Sequence, residues 1–296
     1  MKLLILAIFA VAAASAVENY EGPEWDPIDW SKVIPASDLP STWEGINYEK
    51  FATKPNPRAN RIVGGQEVVP HTHQYQVYLL MQLVIFSSSC GGSIIANNVV
   101  LSAAHCLTNA RSATIIAGAH NIQIVEPTQQ RRSVEATGFR VHPEYNRVNV
   151  LNDIATIVVP NPFVSDAFVQ VIPIAPANAG SFVGYSAQST GWGRVADGQT
   201  GSDVLRGVTN TIIANSVCAE SYGDVSINPN VICIETTGGR GVCQGDSGGP
   251  LTVNENGGRM QVGVVSFGHS SGCESGFPHV FERISSHRDW LSNNMS

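Results

Sequence analysis

Apolar residues come in short runs separated by Gly, Pro and Asn. Gln76–Gln82, Gly92–Ile95, Asn98–Leu101, Ala113–Ala117, Ile154–Val159, Val231–Ile234 and Gln261–Val265 are each four to seven residues long, and all but the first, which is richer in Leu, draw mainly on Val and Ile for their apolar positions. β-branched runs of that length, bounded by turn residues, predict strands, and their density predicts an all-β sandwich or barrels. The end of the chain differs. Ser286 is followed three residues later by Asp289, with Trp290 and Leu291 as an apolar face, which predicts a short terminal helix opened by a capping box. The start differs too: after Lys2 an apolar run, Leu3–Ala14, ends in the small residues Ala14-Ser15-Ala16. That is the pattern of a cleavable export signal over 1–16, and it is shorter than the roughly 20 residues a membrane span needs. The chain is therefore expected to be secreted, with no membrane partner.

Composition divides what remains. Val17–Arg61 carries six of the 16 prolines, Trp25, Trp30 and Trp43, eight acids against five bases and no cysteine. It reads as a pro-segment or interaction arm, extended rather than packed. Residues 62–296 suit one large β domain or two small barrels. They hold 16 acids and 11 bases, a net charge of −5, which excludes a nucleic-acid partner. All 11 bases are arginine, since every lysine (2, 32, 50 and 54) precedes residue 62. Arginine stays charged at high pH and a lysine-free surface offers lysine-cutting proteases fewer sites, so either advantage, or compositional drift alone, accounts for the bias.

The six cysteines, at 90, 106, 218, 233, 243 and 273, favour disulfides in an exported chain, and spacing alone leaves 15 pairings open. Three separated signatures carry chemistry: Leu101-Ser-Ala-Ala-His105-Cys106, Asn152-Asp153, and Gly245-Asp246-Ser247-Gly248-Gly249-Pro250. The hexapeptide is the specific one, and the order His, Asp, Ser adds weight to it.

With Ile62-Val-Gly-Gly65, Val141-His-Pro143, Gly191-Trp-Gly193 and Val265-Ser-Phe-Gly268 added, residues 62–296 resemble the chymotrypsin-like serine peptidases. The resemblance implies two six-stranded antiparallel Greek-key barrels with the site between them, and a short C-terminal helix. It implies the disulfides Cys90–Cys106, Cys218–Cys233 and Cys243–Cys273. It implies Ser247 as nucleophile, His105 as its general base, Asp153 holding the imidazole, and the N–H groups of Gly245 and Ser247 as an oxyanion hole. Cleavage after Arg61 by an arginine-cutting protease would free the amine of Ile62 to pair with Asp246. The arm, lacking cysteine, would then have no disulfide to hold it.

Counting along the resemblance puts Gly241 at the floor of the pocket for the residue before the scissile bond (P1), with Ser266, Gly268 and His279 also binding substrate. Gly241 offers no carboxylate to a cation, and two glycines predict room for large apolar side chains. Val231–Cys243 looks like the invertebrate brachyurin branch, some members of which carry a carboxylate where this chain has His279. A protonated His279 would favour Asp or Glu; a neutral one fills the pocket. Ala117–Glu126 offers a single carboxylate, so no metal or other cofactor is expected. The expectation is a secreted, monomeric zymogen of a digestive endopeptidase in the gut lumen. Its partners would be protein or peptide substrates, an arginine-cutting activator and protein inhibitors, with cleavage of native collagen left open. Acidic-P1 preference and a non-catalytic homologue in immunity are the alternatives.

Overall fold

The computed structural model describes residues 27–38, 63–84 and 86–296. The export-signal stretch, most of the arm, and Arg61 and Ile62 lie outside the described residues. Contacts divide the chain into Met1–Trp30 and Ser31–Ser296, and every strand among the described residues lies in the second unit.

A strand from the arm, β1 (Val33–Pro35), and the two-residue β2 (Gln66–Glu67) come first. Then follow β3 (Gln76–Gln82), β4 (Ser87–Ala96), β5 (Val99–Ser102), β6 (Ser112–Ala117), β7 (Gln130–Glu135), β8 (Phe139–Val141) and β9 (Ala155–Val158). The second half holds β10 (Ser186–Gly191), β11 (Arg206–Ile213), β12 (Val231–Ile234), β13 (Pro250–Glu255), β14 (Gly258–Phe267) and β15 (His279–Arg283). The helices are short: α1 (Ala104–Leu107), α2 (Asn215–Tyr222) and α3 (Arg288–Asn293).

The strands make two curled sheets. The first runs β7-β6-β3-β4-β5-β9-β8, all antiparallel, with β1 added in parallel to β4. The second runs β10-β13-β14-β15-β12-β11 and closes on itself through β10–β11, giving a six-stranded barrel with β2 at its rim. One apolar cluster runs through both sheets, from Val77, Leu79 and Ile115 to Ile232, Val264 and Phe281. Two buried polar pairs cross between the sheets, Ser93 Oγ donating to Gln261 Oε1 (2.6 Å) and Thr190 Oγ1 to Gln76 Oε1 (2.7 Å). Because breaking either pair would leave a buried hydroxyl and an amide oxygen unpartnered, these pairs fix how the sheets face each other.

The cysteines close Cys90–Cys106, Cys218–Cys233 and Cys243–Cys273. Sequence separations of 16 and 15 correspond to about 3 kcal/mol each by loop closure.

Two expectations need correction. The terminal helix forms, but it starts at Arg288 after a 3-10 turn at Ile284–His287, and no side chain caps it. Ser286 donates instead to the Pro229 carbonyl (3.3 Å). The arm is not wholly unpacked either: β1 pairs with β4, and Ile34 and Ala36 are buried.

Candidate active site

Strand pairing brings the first two signatures together. β5 and β9 are antiparallel, with Ser102 opposite Ala155, so the residues after β5 and those before β9 emerge at the same edge. His105 sits on α1, three residues beyond β5, and Asp153 stands two residues before β9. Asn152 takes a left-handed backbone (φ 53°), which Asn tolerates better than most residues, and the next residue turns inward. Asp153 is completely buried. Its Oδ1 accepts from the His105 N–H (2.8 Å), and its Oδ2 accepts from His105 Nδ1 (2.8 Å) and Ser266 Oγ (2.6 Å). Burial pushes the Asp153 carboxyl upward, but the neighbouring His105 charge and these hydrogen bonds outweigh it and hold the group below its ordinary range. The carboxylate fixes the ring proton on Nδ1 and leaves the Nε2 lone pair free.

Ser247 comes to this ring from the second sheet. Its carbonyl accepts from Gly91 N on β4 (2.8 Å), and Cys106 Sγ lies 3.8 Å from both that carbonyl and His105 Nε2. His105 and Ser247 line one cleft of about 380 Å3. The approach depends on Gly248 (φ 78°): a Cβ there would stand 2.1 Å from Ser102 Oγ and 2.6 Å from the Gly91 carbonyl. Among the described residues the Ser247 hydroxyl makes no hydrogen bond to His105, and neither the Gly245 nor the Ser247 N–H has an acceptor. Two uncommitted donors thus flank the hydroxyl.

Asp246 points the other way, into the second barrel. Its Oδ1 accepts from Gly193 N (2.8 Å) and its Oδ2 from Cys243 N (2.9 Å). Gly191 and Gly193 make room for it, since a Cβ on either would lie 2.2 or 2.5 Å from the carboxyl group. Burial raises this group to about 6 against the pull of the two N–H bonds. Among the described residues no cation pairs with it. Val63 is buried against Cys243 and Cys273, and its carbonyl accepts from Gly241 N (3.1 Å), so the chain just after residue 62 reaches the same region.

The pocket differs from its reading in sequence. Gly268 lines it, but Gly241 does not, because His279 stands in the space before it: a Cβ on Gly241 would lie 2.5 Å from the ring, and one on Gly268 3.3 Å. Two glycines therefore do not mean a deep hole. His279 Nδ1 accepts the Val242 N–H (3.1 Å), which places the ring proton on Nε2. Burial lowers the imidazole to about 4, against the opposing charge of Asp197. The floor is a neutral ring edge, walled by Val265, Phe267 and the Cys243–Cys273 disulfide.

Sequence reasoning missed the support behind Asp153. Glu282 on β15 is fully buried, accepts the Asp153 N–H at Oε1 (2.7 Å), and meets His287 Nε2 at Oε2 (2.9 Å). Burial raises its carboxyl and His287 opposes that. The available signal was one acid inside the apolar run His279–Ile284. Metal ligation finds little footing. Among the described residues the two groupings of His, Cys and Asp atoms, Cys90–His105–Cys106 and Asp197–Cys243–Cys273, use disulfide sulfurs, which are not thiolates. Glu126 spends its carboxylate on the N–H groups of His120 (2.6 Å) and Asn121 (3.2 Å).

Residues 62–291 match the family model described as Trypsin. The chain is 41% identical to brachyurin of Leptuca pugilator over 231 residues, covering 78% of this chain and 96% of that protein. It is 34% identical to chymotrypsin of Phaedon cochleariae over 300 residues, covering 98% of this chain and 96% of the other. The solved structure of HL collagenase superimposes with a TM-score of 0.71 at 32% identity, over 79% of this chain and 98% of that one. With the two-sheet fold and the Ser247 cleft beside them, these likenesses show that the chain belongs to the trypsin family of serine endopeptidases.

Proposed function

We propose that this chain is a secreted zymogen, cut after Arg61, that hydrolyses peptide bonds after large apolar residues through Ser247, His105 and Asp153. The observation that carries the reading is the buried carboxylate of Asp153 holding His105 Nδ1 at 2.8 Å while Nε2 faces the cleft that Ser247 lines. As the Ser247 oxygen attacks the substrate carbonyl, Nε2 takes its proton, and Asp153 stabilises the imidazolium that forms. The carbonyl oxygen becomes an anion and is met by the N–H groups of Gly245 and Ser247. His105 then gives the proton to the departing amine. A water deprotonated by the same ring releases the acyl group and restores the hydroxyl. Such hydrogen bonds tighten once substrate arrives, so the unbonded Ser247 hydroxyl fits this role.

Apolar walls and an uncharged floor support a large apolar P1 residue. A charge-selecting His279 has less support, because its Nδ1 already accepts a backbone N–H and its proton is lost near pH 4. Among the described residues no helix is long and apolar enough to cross a membrane, and the export-signal pattern supports release from the cell. The collagenase relative adds native collagen to the substrate panel, and a digestive role in the gut lumen belongs to the same proposal. The deciding experiment cuts the full chain after Arg61, labels it with a fluorophosphonate and profiles a peptide library. The expected result is labelling lost in Ser247→Ala and cleavage after Phe, Tyr, Leu and Met. A chain that stays unlabelled after the cut would instead be a non-catalytic homologue.

A further inference from the structure

The first sheet leaves part of one strand open. β4 pairs with β3 along Ser87–Ser93, but β5 covers only Ser93–Ala96 on the opposite edge. The edge of Ser87–Ser89 therefore keeps its backbone donors and acceptors free for another strand. In this chain the arm takes the place: Val33, Ile34 and Pro35 pair in parallel with Ser87, Ser88 and Ser89. Ile34 and Ala36 are 8% and 6% exposed, and Ala36 joins the main core cluster. Ala36 and Ser37 then line the cleft with His105, Thr108, Asn109 and Ser247. Asp38 ends the crossing, its Oδ2 accepting from an Arg194 guanidinium N–H at 2.5 Å. Arg194 belongs to the other half of the molecule, since its own N–H donates to the Gln244 carbonyl (2.8 Å). Residues 33–38 thus form a strap from the β4 edge to the second barrel, on the α1 side of the cleft and away from the His279 pocket.

We propose that this strap is an inhibitor in its own right: after the cut at Arg61 it stays docked and excludes the departing half of a protein substrate until it dissociates. The inference rests on the proposed activity of Ser247. All six cysteines pair with one another within residues 90–273, so no disulfide tethers the arm once the chain is cut. Main-chain pairing and burial of Ile34 and Ala36 supply the affinity, as in other cases of strand addition. The Asp38–Arg194 pair contributes register more than strength, because burial raises the Asp38 carboxyl even beside its partner.

The test starts from the full chain cut after Arg61 and freed of its arm by gel filtration, with active Ser247 counted by a fluorophosphonate burst. A synthetic peptide of residues 27–42 is then added. Inhibition is expected to be competitive toward substrates that extend three residues beyond the scissile bond. Toward an anilide with no such residues, the inhibition constant is expected to be about tenfold higher or more. A peptide carrying Ile34→Asp and Ala36→Glu is expected to bind at least about thirtyfold more weakly, because it buries unpaired charge. Asp38→Ala is expected to cost only about three- to fivefold. A burst with no inhibition at millimolar peptide, equal inhibition of both substrates, or a double variant as potent as the native peptide overturns the proposal. Absence of any burst refutes the activity reading instead.

Discussion

Cutting the chain after Arg61 is expected to reverse the pH dependence contributed by Asp246. In the uncut protein burial raises this carboxyl from 3.8 to about 6. A shift of about two units corresponds to about 3 kcal/mol, at 1.36 kcal/mol per unit. The sign follows from which state binds the proton more tightly. The folded chain keeps it up to about pH 6, whereas the unfolded chain releases it near 3.8, so the stability is full below pH 4 and is lost as pH rises through 6. At pH 8 the uncut protein therefore carries a strain of about 3 kcal/mol that a buried cation would relieve. Insertion of the Ile62 amine, as proposed, would give Asp246 a partner and depress its pKa, so its contribution would then persist above pH 4 and be lost on acidification. Urea denaturation of a Ser247→Ala chain, uncut and cut, from pH 4.5 to 8 measures both. Groups common to the two forms cancel in the difference, which is expected to grow by about 2 kcal/mol across that range, the rest of the shift being felt below pH 4.5. In Asp246→Asn it is expected to vanish. Parallel curves, or a difference that survives Asp246→Asn, would refute the reasoning.

Ser266→Ala removes the 2.6 Å bond to Asp153 Oδ2 and is expected to lower kcat by about tenfold with KM little changed, the worth of one hydrogen bond to a charged group, as steady-state kinetics will read. Glu282→Leu strands the Asp153 N–H and leaves buried His287 without its acid. It is expected to destabilise the protein by about 3 kcal/mol in urea, and Glu282→Gln, which keeps an acceptor, by clearly less. Gly241→Asp alone would drive its Cβ to 2.5 Å from the His279 ring and is expected to lose about tenfold or more in kcat/KM on apolar substrates without gaining arginine cleavage. Paired with His279→Gly, the same change is expected to cleave after arginine in a peptide panel.

Much of this was legible because it rests on local pattern. The apolar runs at Gln76–Gln82 and Val231–Ile234 are strands with those same ends. β7, Gln130-Arg-Arg-Ser-Val-Glu135, escaped because only Val134 is buried and its strand character comes from pairing with β6. β1 escaped because two apolar residues before a proline promise nothing until an open edge 54 residues away accepts them. The Ser286 capping pattern misled for a similar reason: the Pro229 carbonyl competes for its hydroxyl. At the candidate site the His, Asp and Ser motifs advertise themselves. Glu282 and the depth of the pocket do not, since each depends on a distance between residues far apart in sequence.

The room that Gly191 and Gly193 keep around Asp246 has a practical side when set beside the lysine-free composition of residues 62–296. If the chain is cut after Arg61 as proposed and the arm departs, the α-amine of Ile62 is the sole primary amine of residues 62–296. An acylating reagent therefore becomes a reporter of a single event: rapid modification marks an end still in solvent, and slow modification marks one lodged against the carboxylate. Maturation can then be followed by mass spectrometry on the unaltered protein, without a substrate, a fluorophore or an introduced label.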